Sequence, residues 1–263
     1  MQISKNIDEN ITKIKSKFRG WDDLVEKKFS VRRPSWGGEA AIYVVYIDGL
    51  CDHELIENTI IKPITWEWRH DDTDNLWEHI ISCEGQTADY TLENDFNNVV
   101  NSVLKGDTAI FVSDSDNAMI VSSKRFPVRG IEESSTEGGM RGPRDSFNEN
   151  FRTSTALIRR RIKDTHLRLE QGTMGVRSRT DYGLFYIEDI ARPELVEQVR
   201  AAMDKYDIDA IFDSGMAEHL MERRWQEIFP TYQSTTRPDK AAAALVDGRV
   251  VVVFDNSPEV IIA

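Results

Sequence analysis

The sequence is poor in the features that usually announce a chemistry. Cys51 and Cys83 are the two cysteines in 263 residues, with no C-x-x-C spacing, so there is no disulfide framework and a reducing compartment fits. No apolar run reaches the roughly eighteen residues of a membrane span, and MQISKNIDENITKIKSKF at the N-terminus has no signal-peptide core, so the chain reads as cytosolic in type. Phosphate-loop, dinucleotide, nucleophile-elbow and zinc-protease signatures are all missing, which argues against an enzyme and implies no cofactor. Basic charge is outnumbered as well, 33 Lys and Arg against 45 Asp and Glu. A net charge of −12 and a pI near 5.0 exclude nucleic-acid binding as the main activity, because phosphate contacts need an excess of cations.

What is present is concentrated in one place. Residues 124–163 hold ten Lys and Arg against five acids, a basic strip in an acidic chain. Gly130, Gly138, Gly139, Gly142 and Pro143 give its first part a loop composition. Ser146-Phe147-Asn148-Glu149 has the form of a capping box, and Phe147, Phe151, Ile158 and Ile162 then recur at helical spacing. The pattern predicts a helix over 146–163 with an apolar face, Arg152, Arg159 and Lys163 lying on another.

The rest of the chain reads as the same order of elements told twice. Ile3, Ile7, Ile11, Ile14 and Phe18 make a leading helical stripe that Gly20 ends, and a hairpin of KKFSVRR with AAIYVVYI follows. HELIENTII reads as a helix, ITWEWRH as extended, DTDNLWEHIIS and DFNNVVNSVL as helices, and TAIFVS with AMIVSS as a hairpin turned at DSDN. In the second half PELVEQVRAAMDKY and GMAEHLMERRWQEIF read as helices and DIDAIFD as a strand. AAAALVD with RVVVVFD reads as a hairpin across Asp247-Gly248. Residues 46–57 lie on 186–197 at a shift of 140, and LKGDTAIFVSDSDNAMIV lies on LVDGRVVVVFDNSPEVII at a shift of 141. The expected architecture is therefore α/β: two tandem, duplicated subdomains, each a mixed sheet with packed helices. Their bounds are 1–122 and 146–263, with a Gly/Arg-rich connector at 123–145; the helix from 146 is the counterpart of the one at 1–19. Two lobes so joined can take two arrangements that a ligand or partner biases.

Candidate sites follow from residue type. Arg129, Arg141, Arg144 and Arg159 are planar donors that suit an anion between lobes; the plainer reading is that they pair with lobe carboxylates and set orientation. Arg237 and Asp239, around Pro238, can lock their loop or make a site, and Glu149 joins this set from the capping box. His79 and Cys83 lie four apart, a spacing compatible with metal, but no second pair accompanies them, and no metal site is assigned. Trp66, Trp68 and Trp77 fit a core better than a ligand wall, and Asp114 with Asp116 fits a turn better than a calcium loop. No nucleophile or general base stands at a spacing that would support catalysis on acidic or phosphorylated substrates.

Several linked blocks carry a resemblance. RFPVRG, EGGMRGPRDSFNEN from Glu137, LIRRRIK, and TTRPDKAAAALVDGRVVVVFDNSP resemble the signature run of the GerA family, which comprises the A subunits of bacterial spore germination receptors and SpoVAF-type relatives. FRGWDDLV and YIDGL match it more weakly. Thr236 stands where the family has Glu, Asn256 where it has Gly, and Ser135 near a usual Pro, which loosens any role for the Thr236 loop. The resemblance implies a non-enzymatic cytosolic domain, on the spore-core side, followed after residue 263 by a transmembrane domain in the spore inner membrane. The apolar finish of the chain at VVVVFDNSPEVIIA fits that. It further implies a transporter-like B subunit, a lipoprotein C subunit, self-association, and a nutrient-gated ion channel to which this domain transmits a signal. A small-molecule germinant bound between the lobes is the alternative, and a SpoVAF-type accessory role is another.

Overall fold

The computed structural model describes residues 1–32, 39–67, 77–78, 89–125, 143–205, 207–222 and 230–263. The chain divides into two compact units. Met1–Arg19 and Asp23–Phe126 form the first; Gly20–Asp22 and Pro127–Ala263 form the second.

In the first unit, helix α1 (Ile7–Lys17) starts where the Asn6 side chain accepts the Asp8 N–H, and Gly20 beyond its end takes φ +70. Strands β1 (Leu24–Arg32) and β2 (Glu39–Ile47) pair as a hairpin. Helix α2 (His53–Ile56) continues into π-helical turns at Glu57–Ile61 and Pro63–Glu67. ITWEWRH is thus wound over its described part rather than extended. Ile56, Ile60 and Ile64 hold one face on the sheet at four-residue spacing, and Pro63, which has no N–H, suits the widened winding. Strand β3 (Tyr90–Glu93), helix α3 (Phe96–Leu104) and strands β4 (Thr108–Val112) and β5 (Ala118–Val121) complete the unit. The described part of DTDNLWEHIIS is Trp77 and Glu78, and the Trp77 indole donates to Ser115 Oγ at 3.2 Å.

The second unit repeats this plan with helix α4 (Phe151–Arg161), strands β6 (Leu167–Met174) and β7 (Thr180–Ile187), and helices α5 (Pro193–Met203) and α6 (Ser214–Met221). Strand β8 (Gln233–Thr235), helix α7 (Pro238–Val246) and strands β9 (Val251–Phe254) and β10 (Val260–Ile262) follow. AAAALV is helical, not a strand: Pro238 opens the helix at its first turn and four alanines favour it. DIDAIFD is a loop zipped onto the β6–β7 turn, where Val176 and Arg177 N–H donate to Ile208 and Asp209 C=O at 2.8 Å.

The two sheets have the order β1-β2-β4-β5-β3 and β6-β7-β9-β10-β8, the same permutation. Every pairing between these ten strands is antiparallel, so the expected mixed sheets are corrected. Between β2 and β4 the chain lays down an edge strand as well as helices, and it therefore returns beside β2 in the opposite sense. Register also corrects the repeat. Ile42 faces Val112 as Tyr182 faces Phe254, so with β2 and β7 related by 140 the following strands are related by 142, not 141. Backbone conformation agrees, since Gly106 matches Gly248 and Asp114 matches Asn256, all at positive φ. A slip of one residue would turn every strand side chain to the opposite face.

Helices cover both faces of each sheet. In the second unit α4 and α7 pack Leu157, Ile158, Ala241 and Leu245 on Leu169, Phe185, Val251 and Val253. On the other face α5 and α6 pack Val196, Val199, Ala217 and Met221 on Leu184, Val252 and Phe254. In the first unit the α2 side buries Ile42, Val44, Ile110 and Met119, and α1 and α3 contribute Ile14, Phe96 and Val103 to the opposite face.

Candidate functional site

Three of the linked sequence blocks meet in the second unit. Ser146 and Phe147 are buried but not helical: the Phe147 N–H and the Ser146 hydroxyl both donate to Thr236 C=O, at 2.8 and 2.9 Å. The predicted capping box is therefore corrected. The helix begins at Phe151, and its cap is Asn150, whose side chain accepts the Thr153 N–H at 2.9 Å. Ser146 is unavailable for capping because its hydroxyl and the next N–H already serve the Thr236 carbonyl. The far end of the Thr236 block closes the junction: Asn256 N–H donates to Glu149 C=O at 2.8 Å, and Asp255 Oδ1 accepts the Phe151 N–H at 3.1 Å.

Charged pairs surround this junction. Arg237 forks onto Asp239, Nε to Oδ1 at 3.0 Å and Nη2 to Oδ2 at 2.6 Å. That guanidinium holds the Asp239 carboxyl below its usual value, and Asp239 also sits in the first turn of α7, where the helix dipole favours an anion. Arg161 grips both oxygens of Asp145 at 2.7 and 2.6 Å, tying the end of α4 to the segment that precedes it.

Arg159 has a different setting. It is 2% exposed, in the core rather than on a polar helix face, and Nη1 donates to Leu167 C=O at 2.7 Å. Its guanidinium lies 3.4 Å from the Trp21 ring centroid and 5.4 Å from that of Phe185. Trp21 arrives on a short added strand at the edge of β6. Leu169 N–H donates to Gly20 C=O at 3.0 Å, Asp22 N–H to Leu169 C=O at 3.2 Å, and the indole Nε1 to Thr165 C=O at 3.1 Å. Arg168 donates to the same Thr165 carbonyl at 2.8 Å and pairs with Glu188.

Of the residues singled out from sequence, Arg237 and Asp239 are brought into direct contact. Glu149 is exposed and joins the same junction through its main chain, and Arg159 is placed under Trp21. Arg144 is described and exposed. Arg129 and Arg141, most of the connector, Trp68, His79 and Cys83 lie outside the described residues. Sequence reading missed Trp21, Asp255 and the Asp145–Arg161 pair. The signals for the first two were a Gly-Trp step after a helix and an Asp inside the FDNSP block. Among the described residues, no group of three or more His, Cys, Asp or Glu could hold a metal ion, and no helix is long and apolar enough to cross a membrane.

Comparison with known proteins gives a consistent result. The model of the Bacillus/Clostridium GerA spore germination protein family matches residues 12–263. Spore germination protein KA of Bacillus subtilis is 30% identical over 99% of this chain and 47% of its own length. Stage V sporulation protein AF of the same organism is 35% identical over 84% of this chain and 45% of its own. The chain thus spans about half the length of the curated relatives it matches. Among solved structures, the N-terminal domain of the A subunit of the Bacillus megaterium spore germinant receptor GerK3 matches with a TM-score of 0.74 at 28% identity. That match covers 100% of this chain and 96% of that one. A family match across nearly the whole chain, with the same fold, means that this chain belongs to the GerA family of spore germination proteins.

Proposed function

We propose that this chain is the N-terminal domain of a germinant-receptor A subunit, and that it serves nutrient-triggered spore germination by assembling the receptor and transmitting its signal. The full-length agreement with the GerK3 A-subunit N-terminal domain carries the reading. The full protein would carry a transmembrane domain in the spore inner membrane and work with a transporter-like B subunit and a lipoprotein C subunit. The domain itself would be two lobes, 1–122 and 146–263, and would perform no catalysis; the relatives named above are germination and sporulation proteins. The Arg-centred junction of the second unit would hold that lobe rigid enough to pass on a displacement.

The test is deletion of the encoding gene, with dipicolinate release followed against a panel of single nutrients. Loss of response to one nutrient class, restored by the intact gene but not by one lacking residues 1–263, supports the reading. An unchanged response to every nutrient overturns it. The 35% identity to Stage V sporulation protein AF favours a second reading, an accessory germination protein. In that case deletion slows germination with all nutrients alike. Binding of a small-molecule germinant by the domain is a further proposal, which calorimetry against the same panel decides.

A further inference from the structure

The two sheets are alike in register but not in what borders them. Strand β6 is an edge strand whose outer side is filled. Leu169 gives its N–H to Gly20 and takes the Asp22 N–H, Trp21 and Leu169 form a parallel bridge, and the Asp22 carboxylate accepts the Gln171 N–H at 2.7 Å. Strand β1 holds the same place in the first sheet, and Glu26 opposite Val45 is the counterpart of Leu169 opposite Phe185.

The outward groups of β1 can be identified. Asp48 N–H donates to Asp23 C=O at 2.9 Å, which makes Leu24 and Ile47 a pair that exchanges no hydrogen bond between its own members. By alternation Leu24, Glu26, Lys28 and Ser30 turn their N–H and C=O groups away from β2. Among the described residues nothing bonds to that outer side, and Glu26, Lys28 and Ser30 are exposed. Cations line the edge: Lys15, Lys27, Lys28 and Arg32 stand against Asp8, Glu26 and Glu39, with Lys28 on Asp8 at 2.7 Å and Glu39 opposite Arg32. Lys15, the α1 counterpart of Arg159, has its side chain 62% exposed, 4.0 Å from Glu26.

We propose that the outer edge of β1 is a docking site for an acidic, extended segment of another protein, which joins the first sheet as an added strand. The filled edge of β6 shows that this architecture accepts a short strand there and that an acidic side chain on it captures a second outward N–H. The cations select the partner. They attract carboxylates such as the one that Asp22 carries on the filled β6 edge.

The probe is an acetylated heptapeptide, GWDDVEV, whose first four residues are those of Gly20–Asp23. At saturating peptide, amide exchange at Glu26, Lys28 and Ser30 is expected to slow by about tenfold or more, with little change at Val25, Lys27 and Phe29, already in the β1–β2 ladder. Binding weakens as salt rises. Lys28→Pro removes an outward donor without touching the ladder and is expected to abolish the protection. Should that variant fail to fold, a peptide N-methylated at alternate residues tests the same bond set on the unaltered protein and is expected not to bind. No binding, protection elsewhere, or equal binding of the methylated peptide each overturns the proposal.

Discussion

Trp21 offers the sharpest test of how the second unit is held together. The residue is 5% exposed, and its ring covers the Arg159 guanidinium at 3.4 Å and donates to Thr165 C=O at 3.1 Å. Trp21→Ala removes a buried aromatic side chain, a loss of about 4 kcal/mol, of which a desolvated cation–π contact supplies about 2 kcal/mol. Trp21→Phe keeps a ring over the guanidinium but leaves Thr165 C=O with the Arg168 donor alone, a cost of about 1 kcal/mol. Arg159→Met keeps most of the volume and orphans the Leu167 carbonyl, for about 2 kcal/mol. If the stack is a direct interaction, the cycle combining Trp21→Ala with Arg159→Met returns a coupling of about 2 kcal/mol. Because two compact units need not unfold together, the readout is urea-dependent amide exchange of β6 and β7 rather than one whole-chain midpoint. A coupling below about 0.5 kcal/mol would mean that Trp21 merely fills space, and the reasoning would fail.

Gly183→Ala places a methyl 2.8 Å from Leu169 Cδ1 and 3.0 Å from Phe151 Cζ, and is expected to cost about 1–3 kcal/mol in chemical denaturation. Asp255→Ala leaves the Phe151 N–H at the head of α4 without its carboxylate; a loss of about 1–2 kcal/mol, with faster exchange at that amide, is expected. Asp239 is held below its usual carboxylate value by Arg237, so the unfolded chain binds its proton first. That stabilisation is present above the ordinary Asp value and disappears as pH falls through the lower folded value. Thermal melts between pH 6 and pH 3 should therefore converge for the native chain and Asp239→Asn, the gap being widest at the upper end; a constant gap would count against the pair.

Much of this protein is legible from local pattern. The leading stripe of Ile7 and Ile14, the hairpin strands and the two-fold recurrence all follow from periods that the chain carries in itself. So does the family, because its blocks are contiguous runs. Errors arose where two local rules competed. Ser146 heads a capping box by local pattern, but its hydroxyl is taken by the Thr236 carbonyl, and the cap falls to Asn150. The run AAAALV is apolar enough for a strand, yet Pro238 and a sheet already completed by β9 and β10 leave it helical.

The sequence by itself determined the composition of the two α/β units, the repeat and the kinship, because these rest on residue order alone. Tertiary structure decided the strand directions, the offset of 142, and the placing of Arg159 beneath Trp21, residues 138 positions apart. Which backbone groups of β1 face outward was decided there too. Each of these depends on which hydrogen bond or ring is opposite a given group in space, and the chain's one-dimensional order does not contain that information.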